Sequence, residues 1–380
     1  MLRAYKYELC PTETQQVLFA KHFGANRFVY NWALNKKQKH YEQEKKSLSC
    51  FEIMKELTLL KSDTSFEWLK EIYSQSMQQS IAHLDDAFTN FFKGKSSFPK
   101  FKSKHKSKDS YSYSQGTKID FEKYLVFIPK FGWVKFYQDR HFEGAIRTCV
   151  VSKTATGRVY VSILVETNQA KPEKCVPSLE GTVGVDLGIK DFAVLSTGEK
   201  VANPRLLKKQ EQKLKIAQRR LAKKQFGSKN RQEQKLRVAK IHEKLCFQRN
   251  DFQHKLSTRL IRENQAVAVE NLNVAGMLKN HKLAKHISDV AWGQFSRHLT
   301  YKAEWQGKHL VEIGRFEPSS KLCSVCGWLK SDLTLKDREW VCASCGTKHD
   351  RDGNAAQATT INGKAVRQTI EGGWLASVTE

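Results

Sequence analysis

The sequence predicts an α+β chain of several domains. Three observations carry that expectation. Apolar residues switch from helical spacing to a period of two and back. Two long helical stretches in the middle are overwhelmingly basic. Late in the chain, two Cys-x2-Cys pairs mark a small metal-stapled insert. At 380 residues there is room for two or three domains, each with its own core.

Residues 1–10 mix Leu2, Ala4, Tyr5, Tyr7 and Leu9 with basic residues and read as a strand. Pro11 ends it, and Thr12 with Gln15 has the spacing of a capping box, so a helix follows. Helical spacing continues to about Phe92. Met77, Ile81, Leu84, Phe88 and Phe91 give one apolar face for helix packing. Residues 94–115 then interleave lysines with Phe98, Phe101, Tyr111 and Tyr113, a mixture suited to phosphate contacts and base stacking as well as to a solvated loop. Tyr124–Ile128, Trp133–Phe136, Ala145–Ser152 and Val159–Val165 read as strands, the last two joined by a Thr156-Gly157 turn. With the N-terminal strand they predict a small β-barrel into which the helices of residues 12–93 are inserted. Pro172 to Ser178 reads as a linker.

Gly181 to Gly198, GTVGVDLGIKDFAVLSTG, reads as a β-hairpin turning at Gly188-Ile189-Lys190. Asp186 interrupts its apolar alternation, and a carboxylate half-buried in a strand needs a cation or hydrogen bonds to offset its desolvation. Two later acids could share a cation with it. Glu270 closes the apolar run Ala266–Val269, and Asp350 and Asp352 precede Asn354-Ala355-Ala356, with Asp352 at the expected helix N-cap. Each also has a purely structural reading, and GVDLG by itself also begins the phosphate-binding hairpin of actin-like ATPases and sugar kinases.

Between Arg205 and Arg262 the chain carries 19 Lys or Arg against 4 Asp or Glu, broken at Phe226-Gly227-Ser228, with Asn230 and Glu233 spaced to cap the second helix. One-signed charge along two helices repels itself unless a polyanion lies alongside, and Arg219 and Arg220 are candidate contacts. Residues 271–287 read as a polar loop with short helical pieces. Ser288-Asp289 is expected to cap a helix carrying Trp292, Phe295, Leu299 and Trp305, and His309–Ile313 is a further strand. The formal net charge of +26 points to nucleic acid. No apolar run approaches the roughly 18 residues that span a bilayer, and the N-terminal residues lack a signal-peptide core, so a cytoplasmic location without membrane association is expected.

Cys323-x2-Cys326 and Cys342-x2-Cys345, separated by fifteen residues, form the most specific pattern in the chain. Two such knuckles supply four thiolates, the closed tetrahedral set of one structural Zn²⁺, which leaves no position for a reacting water. The nine cysteines are an odd number and four have metal spacing, against a secreted disulfide scaffold. Asp350 and Asp352 follow the second knuckle directly.

NRFVYNWAL (26–34), FPKFK (98–102), VGVDLGIKDFAVLSTG, VENLNVAGM (269–277), PSSKLCSVCG (318–327) and HDRDGNAAQA (349–358), in this order, resemble the TnpB (OrfB) proteins of bacterial insertion sequences, relatives of the type V CRISPR effectors. An actin-like fold carries no four-cysteine ribbon between its acidic motifs. The resemblance implies a RuvC-like nuclease domain of RNase H fold over residues 179–319 and 347–363, interrupted by the zinc ribbon at 320–346. It also implies a β-barrel wedge domain at 1–11 and 94–178, a helical recognition domain at 12–93, and leaves a C-terminal tail at 364–380. Gly353 and Gln357 depart from the bulkier apolar residues common in the family.

The implied activity is RNA-guided endonuclease cleavage of double-stranded target DNA, directed by a guide RNA (ωRNA) and a short target-adjacent motif, by a bacterial cytoplasmic protein that joins the nucleoid when bound to DNA. Asp186, Glu270 and Asp352 would hold two Mg²⁺ ions, with Asp186 between them and Asp350 as the alternative third ligand, leaving 5′-phosphate and 3′-hydroxyl ends. Gln75, Gln78 and Gln79, with Lys100, Lys102 and Lys104, are expected to contact the motif duplex while guide pairing reads the target. Two other roles belong to the same resemblance: a guided repressor that has lost its acids, although all three acids are present here, and an accessory DNA-binding factor for transposition.

Overall fold

The computed structural model describes residues 1–178, 180–313, 321–334 and 337–361, with side chains to 358. The expected tail at 364–380, residues 314–319 and 362–363 of the expected nuclease domain, and residues 320, 335 and 336 of the expected ribbon lie outside the described residues. The chain divides into two compact units, Met1–Ala170 and Lys171–Glu380.

In the first unit, β1 (Leu2–Cys10) buries Tyr7 and Leu9 and stops at Pro11, which has no N–H to give to a ladder. Thr12 and Gln15 form the expected reciprocal capping box at the start of α1 (Glu13–Glu44). Helix α2 (Cys50–Leu60), a 3-10 segment (Thr64–Glu71) and α3 (Ser74–Phe92) follow. Met77, Ile81 and Leu84 of the predicted stripe pack with Val29, Ala33 and Leu34 of α1 and Ile53 and Leu57 of α2. Buried His22 joins α1 to the head of α3: Nδ1 donates to the Leu18 carbonyl at 3.0 Å and Nε2 accepts from the Tyr73 N–H at 3.3 Å.

Seven strands follow an antiparallel order: β2 (Ser110–Tyr113), β6 (Ala145–Lys153), β7 (Val159–Glu166), β1, β5 (Gly132–Tyr137), β4 (Leu125–Ile128) and β3 (Lys118–Asp120). The ladder does not close between β2 and β3. Those edges meet through Thr117, beside β3, whose hydroxyl donates to the Tyr113 hydroxyl on β2 and accepts from the Cys149 thiol on β6. The expected barrel is therefore a curled sheet fastened by side chains and a short loop. Tyr111 and Tyr113 correct one expectation. Both are buried in this core with Tyr7, Phe136 and Val161, so they cannot stack on bases. The basic stretch ends one strand earlier than its composition suggested.

In the second unit, the stretch read as a linker is irregular but fastened down. The Cys175 N–H donates to the Gly307 carbonyl and His309 contacts the Cys175 carbonyl at 2.6 Å. A mixed sheet has the order β10 (Lys200–Ala202), β9 (Asp191–Leu195), β8 (Thr182–Leu187), β11 (Ala266–Glu270), β12 (His309–Ile313). The first three strands are antiparallel and the last three parallel, the RuvC-like arrangement. Gly188 is required in the β8–β9 turn, since a Cβ there would lie 2.8 Å from the Asp191 carbonyl oxygen.

Alternation along β8 and β11 gives the sheet two different faces. Val183, Val185, Leu187, Val267 and Val269 face a core built from α5 (Lys229–Glu263) and α8 (Trp292–Trp305), including Leu260 and Phe295. Gly184, Ala266 and Ala268 face the other way. Helix α9 (Arg351–Ile361) contacts β8, β9 and β11, and its Ala355, Ala356 and Ala358 are buried. Small residues on both partners allow that close approach.

Helix α4 (Leu206–Ala222) runs against α5, and the Gln234 side chain donates to the Ala217 carbonyl. The α5 cap is Ser228, which accepts from the Arg231 N–H, two residues before the predicted Asn230. Between α6 (Val274–Met277), α7 (Ala284–Val290) and α8, Ser288-Asp289 does not cap as predicted. The chain turns at Ala291 with φ +52, and the Asp289 carboxylate instead accepts from the Leu207 N–H at the head of α4. The cysteine module carries β13 (Glu339–Val341) and β14 (Lys348–Asp350). Among the described residues no helix is long and apolar enough to cross a membrane.

Candidate active site and metal centre

The β8–β11 register explains how two acids meet. Val185 lies beside Val269, and one step further along these parallel strands sets Asp186 beside Glu270 on the same face, strands being about 4.8 Å apart. Both follow apolar runs that place them at the carboxyl ends of adjacent strands. Helix α9 crosses that face and brings Asp352, in its first turn, to the same spot. Burial first, then the charges of Glu270 and Asp352, push the Asp186 carboxyl up to about 7, against the opposing effect of Arg351. A half-buried carboxyl facing two more carboxylates is a site suited to divalent cations.

Asp350 lies elsewhere. Its carboxylate accepts from the Gly353 N–H at 2.9 Å and pairs with Lys200 at 3.0 Å. Burial raises its pKa, but those two contacts outweigh it and leave the group below the ordinary carboxylate range. Asp350 is thus the N-cap of α9, a role the sequence had suggested for Asp352. Asp352 is freed to face Asp186, with Arg338 at 3.5 Å on its outer side.

Asp186 and Asp352 line a cleft of 870 Å³ whose walls carry Arg205, Lys208, Lys285 and His286. Arg205 and Lys208 belong to the basic stretch legible in the sequence, whereas Lys285 and His286 come from α7, a separate segment that no charge pattern announced.

Among the described residues, the one group of three or more metal-ligating side chains with all ligand atoms within 4.8 Å is Cys323, Cys326, Cys342 and Cys345. Cys323 and Cys345 sulfurs are 3.7 Å apart and those of Cys326 and Cys342 are 3.5 Å apart. A zinc tetrahedron with Zn–S near 2.3 Å has edges of about 3.8 Å, so the donor set fits structural zinc. The acidic trio is not gathered that tightly, which leaves it more open than a closed single-ion cage.

The candidate nucleic-acid contacts fall in three environments. Gln75 accepts from the Ser114 and Gln115 N–H groups through Oε1, binding α3 to the loop after β2. Gln78 is exposed, and Gln79 lines a 180 Å³ polar pocket with Arg27, His83 and Lys102. Lys102 is held in place: its backbone exchanges hydrogen bonds with the Asn31 side chain and its ammonium lies 3.8 Å over the Tyr30 ring. Lys100 and Lys104 are exposed beside it. Arg219 and Arg220 are exposed on α4, and Arg220 lines a 420 Å³ groove with Lys213, Arg237, Lys240 and Lys244, with no carboxylate among the lining residues.

Comparison with known proteins agrees with this architecture. A family profile described as "Probable transposase" (OrfB_IS605) matches residues 162–281, a "Cas12f1-like, TNB domain" profile matches 292–358, and a "Helix-turn-helix domain" profile matches 1–46. In the last region the structure has β1 and the unbroken 32-residue α1, with no helix-turn-helix. A Streptomyces pristinaespiralis protein named "Putative RNA-guided DNA endonuclease" is 39% identical over 97% of this chain and 91% of its own length. "Putative RNA-guided DNA endonuclease InsQ" of Escherichia coli is 30% identical, over 96% and 93%. A cryo-EM structure of a Cas12f1–sgRNA–target DNA complex shares the fold, with TM-score 0.55 and 13% identity over 92% of this chain and 83% of that one. With near-complete coverage of a relative at 39% identity, and with a RuvC-like sheet followed by a four-cysteine module, the chain belongs to the TnpB (OrfB) family.

Proposed function

We propose that this protein is an RNA-guided DNA endonuclease whose reacting site is formed by Asp186, Glu270 and Asp352. The observation that supports this most is that Asp186 is close enough to feel the charges of both Glu270 and Asp352, and that Asp186 and Asp352 line a cleft whose walls also carry Arg205, Lys208 and Arg351. Mg²⁺ held there would activate water and stabilise charge at the leaving 3′ oxygen. Asp186 feels both other acids and would be the shared ligand, with Glu270 and Asp352 each holding one ion. Arg205, Lys208 and Lys285 orient a phosphate backbone along the cleft. The zinc-type module is structural, since four thiolates saturate its ion.

The α4–α5 groove lined by Arg220, with exposed Arg219 next to it in sequence, takes the guide RNA backbone. Gln78, Gln79, Lys100 and Lys104 face the motif duplex, and Lys102 and Gln75 shape that surface. Residues 1–11 and 94–178 serve as the wedge domain, 12–93 as the recognition domain, 179–319 and 347–363 as the nuclease, and 320–346 as its zinc ribbon.

The test is purification with the co-expressed genomic flank, sequencing of bound RNA, and cleavage of a matched plasmid library with Mg²⁺ beside Asp186→Ala. A discrete RNA, with cleavage abolished by the substitution, supports the nuclease. Guided DNA binding without cleavage moves the protein to the repressor role, and the absence of any specific RNA overturns both.

A further inference from the structure

We propose that Asn354 is a positioning residue that ties the acidic site to the zinc module, so that filling the cysteine centre sets where Asp352 stands. This rests on the metal-dependent reading of the acidic trio.

Asn354 is buried one turn beyond the start of α9. Its Oδ1 accepts from the Ser324 N–H at 2.9 Å, and its Nδ2 donates to the Leu322 carbonyl at 2.7 Å. Those backbone groups flank Cys323, so one side chain grips the first knuckle from both sides. Gln357, one turn on, accepts from the Ser324 hydroxyl at 2.9 Å. A second route begins at the same cysteine. The Cys323 sulfur lies 3.1 Å from His349 Nε2, and His349 is buried against Trp340 and precedes Asp350, the cap of α9. Both routes converge on the helical turn that contains Asp352.

The chemistry explains the direction of the coupling. Without a metal, thiolates at 3.5 to 3.7 Å repel or take up protons, and the knuckle loses its fixed shape. Asn354 is rigidly bonded to that knuckle, so displacement of Leu322 to Ser324 displaces the α9 N-terminus. A carboxylate is useful to a cation only within a few tenths of an ångström of its place. Gln357 adds a bond that an apolar residue could not.

The experiment is a Mn²⁺ titration followed by electron paramagnetic resonance on the full-length, zinc-loaded chain, with zinc measured by elemental analysis. Binding lost in Asp186→Asn defines the acidic site. Asn354→Ala is expected to keep one zinc per chain and weaken that Mn²⁺ binding about tenfold, the usual scale for residues that orient ligands. The Mg²⁺ concentration for half-maximal cleavage rises by a similar factor, while DNA affinity holds. Gln357→Ala, at an exposed position that does not threaten folding, should also weaken Mn²⁺ binding, by less than Asn354→Ala does. Wild-type Mn²⁺ affinity in Asn354→Ala with zinc retained overturns the proposal; should Asn354→Ala not fold, unchanged affinity in Gln357→Ala overturns it. Loss of zinc in a folded Asn354→Ala also overturns it, because the residue would then belong to the zinc site itself. If the wild-type chain shows no Asp186-dependent Mn²⁺ binding, the metal-dependent reading of the trio falls first.

Discussion

Asp186 shows what it costs to hold a carboxyl buried beside two others. Its carboxyl is pushed up to about 7 by burial first and by Glu270 and Asp352 second. Between its ordinary value near 4 and about 7, the folded chain keeps a proton that the unfolded chain has released. The unfolded state then binds fewer protons, so stability falls as pH rises through that window, by a few kcal/mol at most. Asp186→Asn removes that cost. In zinc-loaded, magnesium-free buffer it should melt several degrees above wild type at pH 8, with the gap closing near pH 4. A variant that melts lower at pH 8 would contradict the electrostatic account. Asp186 and Glu270 were legible because each is the lone acid at the end of an apolar run. The choice between Asp350 and Asp352 was not, since by local sequence either can cap a helix; the Gly353 N–H goes to Asp350, which Lys200, 150 residues away in sequence, also holds.

Elements declare themselves by pattern, but their ends depend on neighbours. The Thr12–Gln15 box was readable because both partners are local. The α5 start was misread because Asn230 and Glu233 have the right spacing, while Ser228 has the free turn before it and takes the Arg231 N–H. Ser228→Ala should therefore cost about 1 kcal/mol and Asn230→Ala almost nothing, by calorimetry. The reverse order would restore the earlier cap. His22 makes the comparable point between helices. Burial pushes it down to about 4, so from about 6.5 to 4 the unfolded chain gains a proton that the folded one refuses, and stability is lost as pH falls. His22→Ala should leave the Tyr73 N–H unpaired, cost about 2 kcal/mol at pH 7, and flatten the acid limb of the stability profile. An unchanged limb would place the acid sensitivity elsewhere.

At the scale of the molecule, the sequence shows charge and order of motifs better than boundaries. The linker read at 172–178 belongs to the second unit because Cys175 and Ser178 are bonded to Gly307 and Gln265, contacts no local composition could reveal. The curled first sheet was legible as short strands, yet its edge contact through Thr117 depends on a loop of four residues. What holds each unit together also differs. The first has a large apolar core around Tyr7, Phe136 and Val161. Among the described residues, the apolar cluster of the cysteine module consists of Leu333, Trp340 and two of its own cysteines, with Trp328 packed beside them, too little apolar surface to hold the module by packing alone. Zinc removal should therefore act locally. Hydrogen exchange of the full chain with and without a zinc chelator should show protection lost across 321–334 and 337–361, including the α9 turn that carries Asp352. Amides of β1, β5 and β7 should keep theirs, since their ladder and core contain no part of the module. Loss of protection in those strands would mean that the first unit depends on the ion too. Full retention across α9 would mean that the helix holds its place on Gly184 and Ala268 by packing alone.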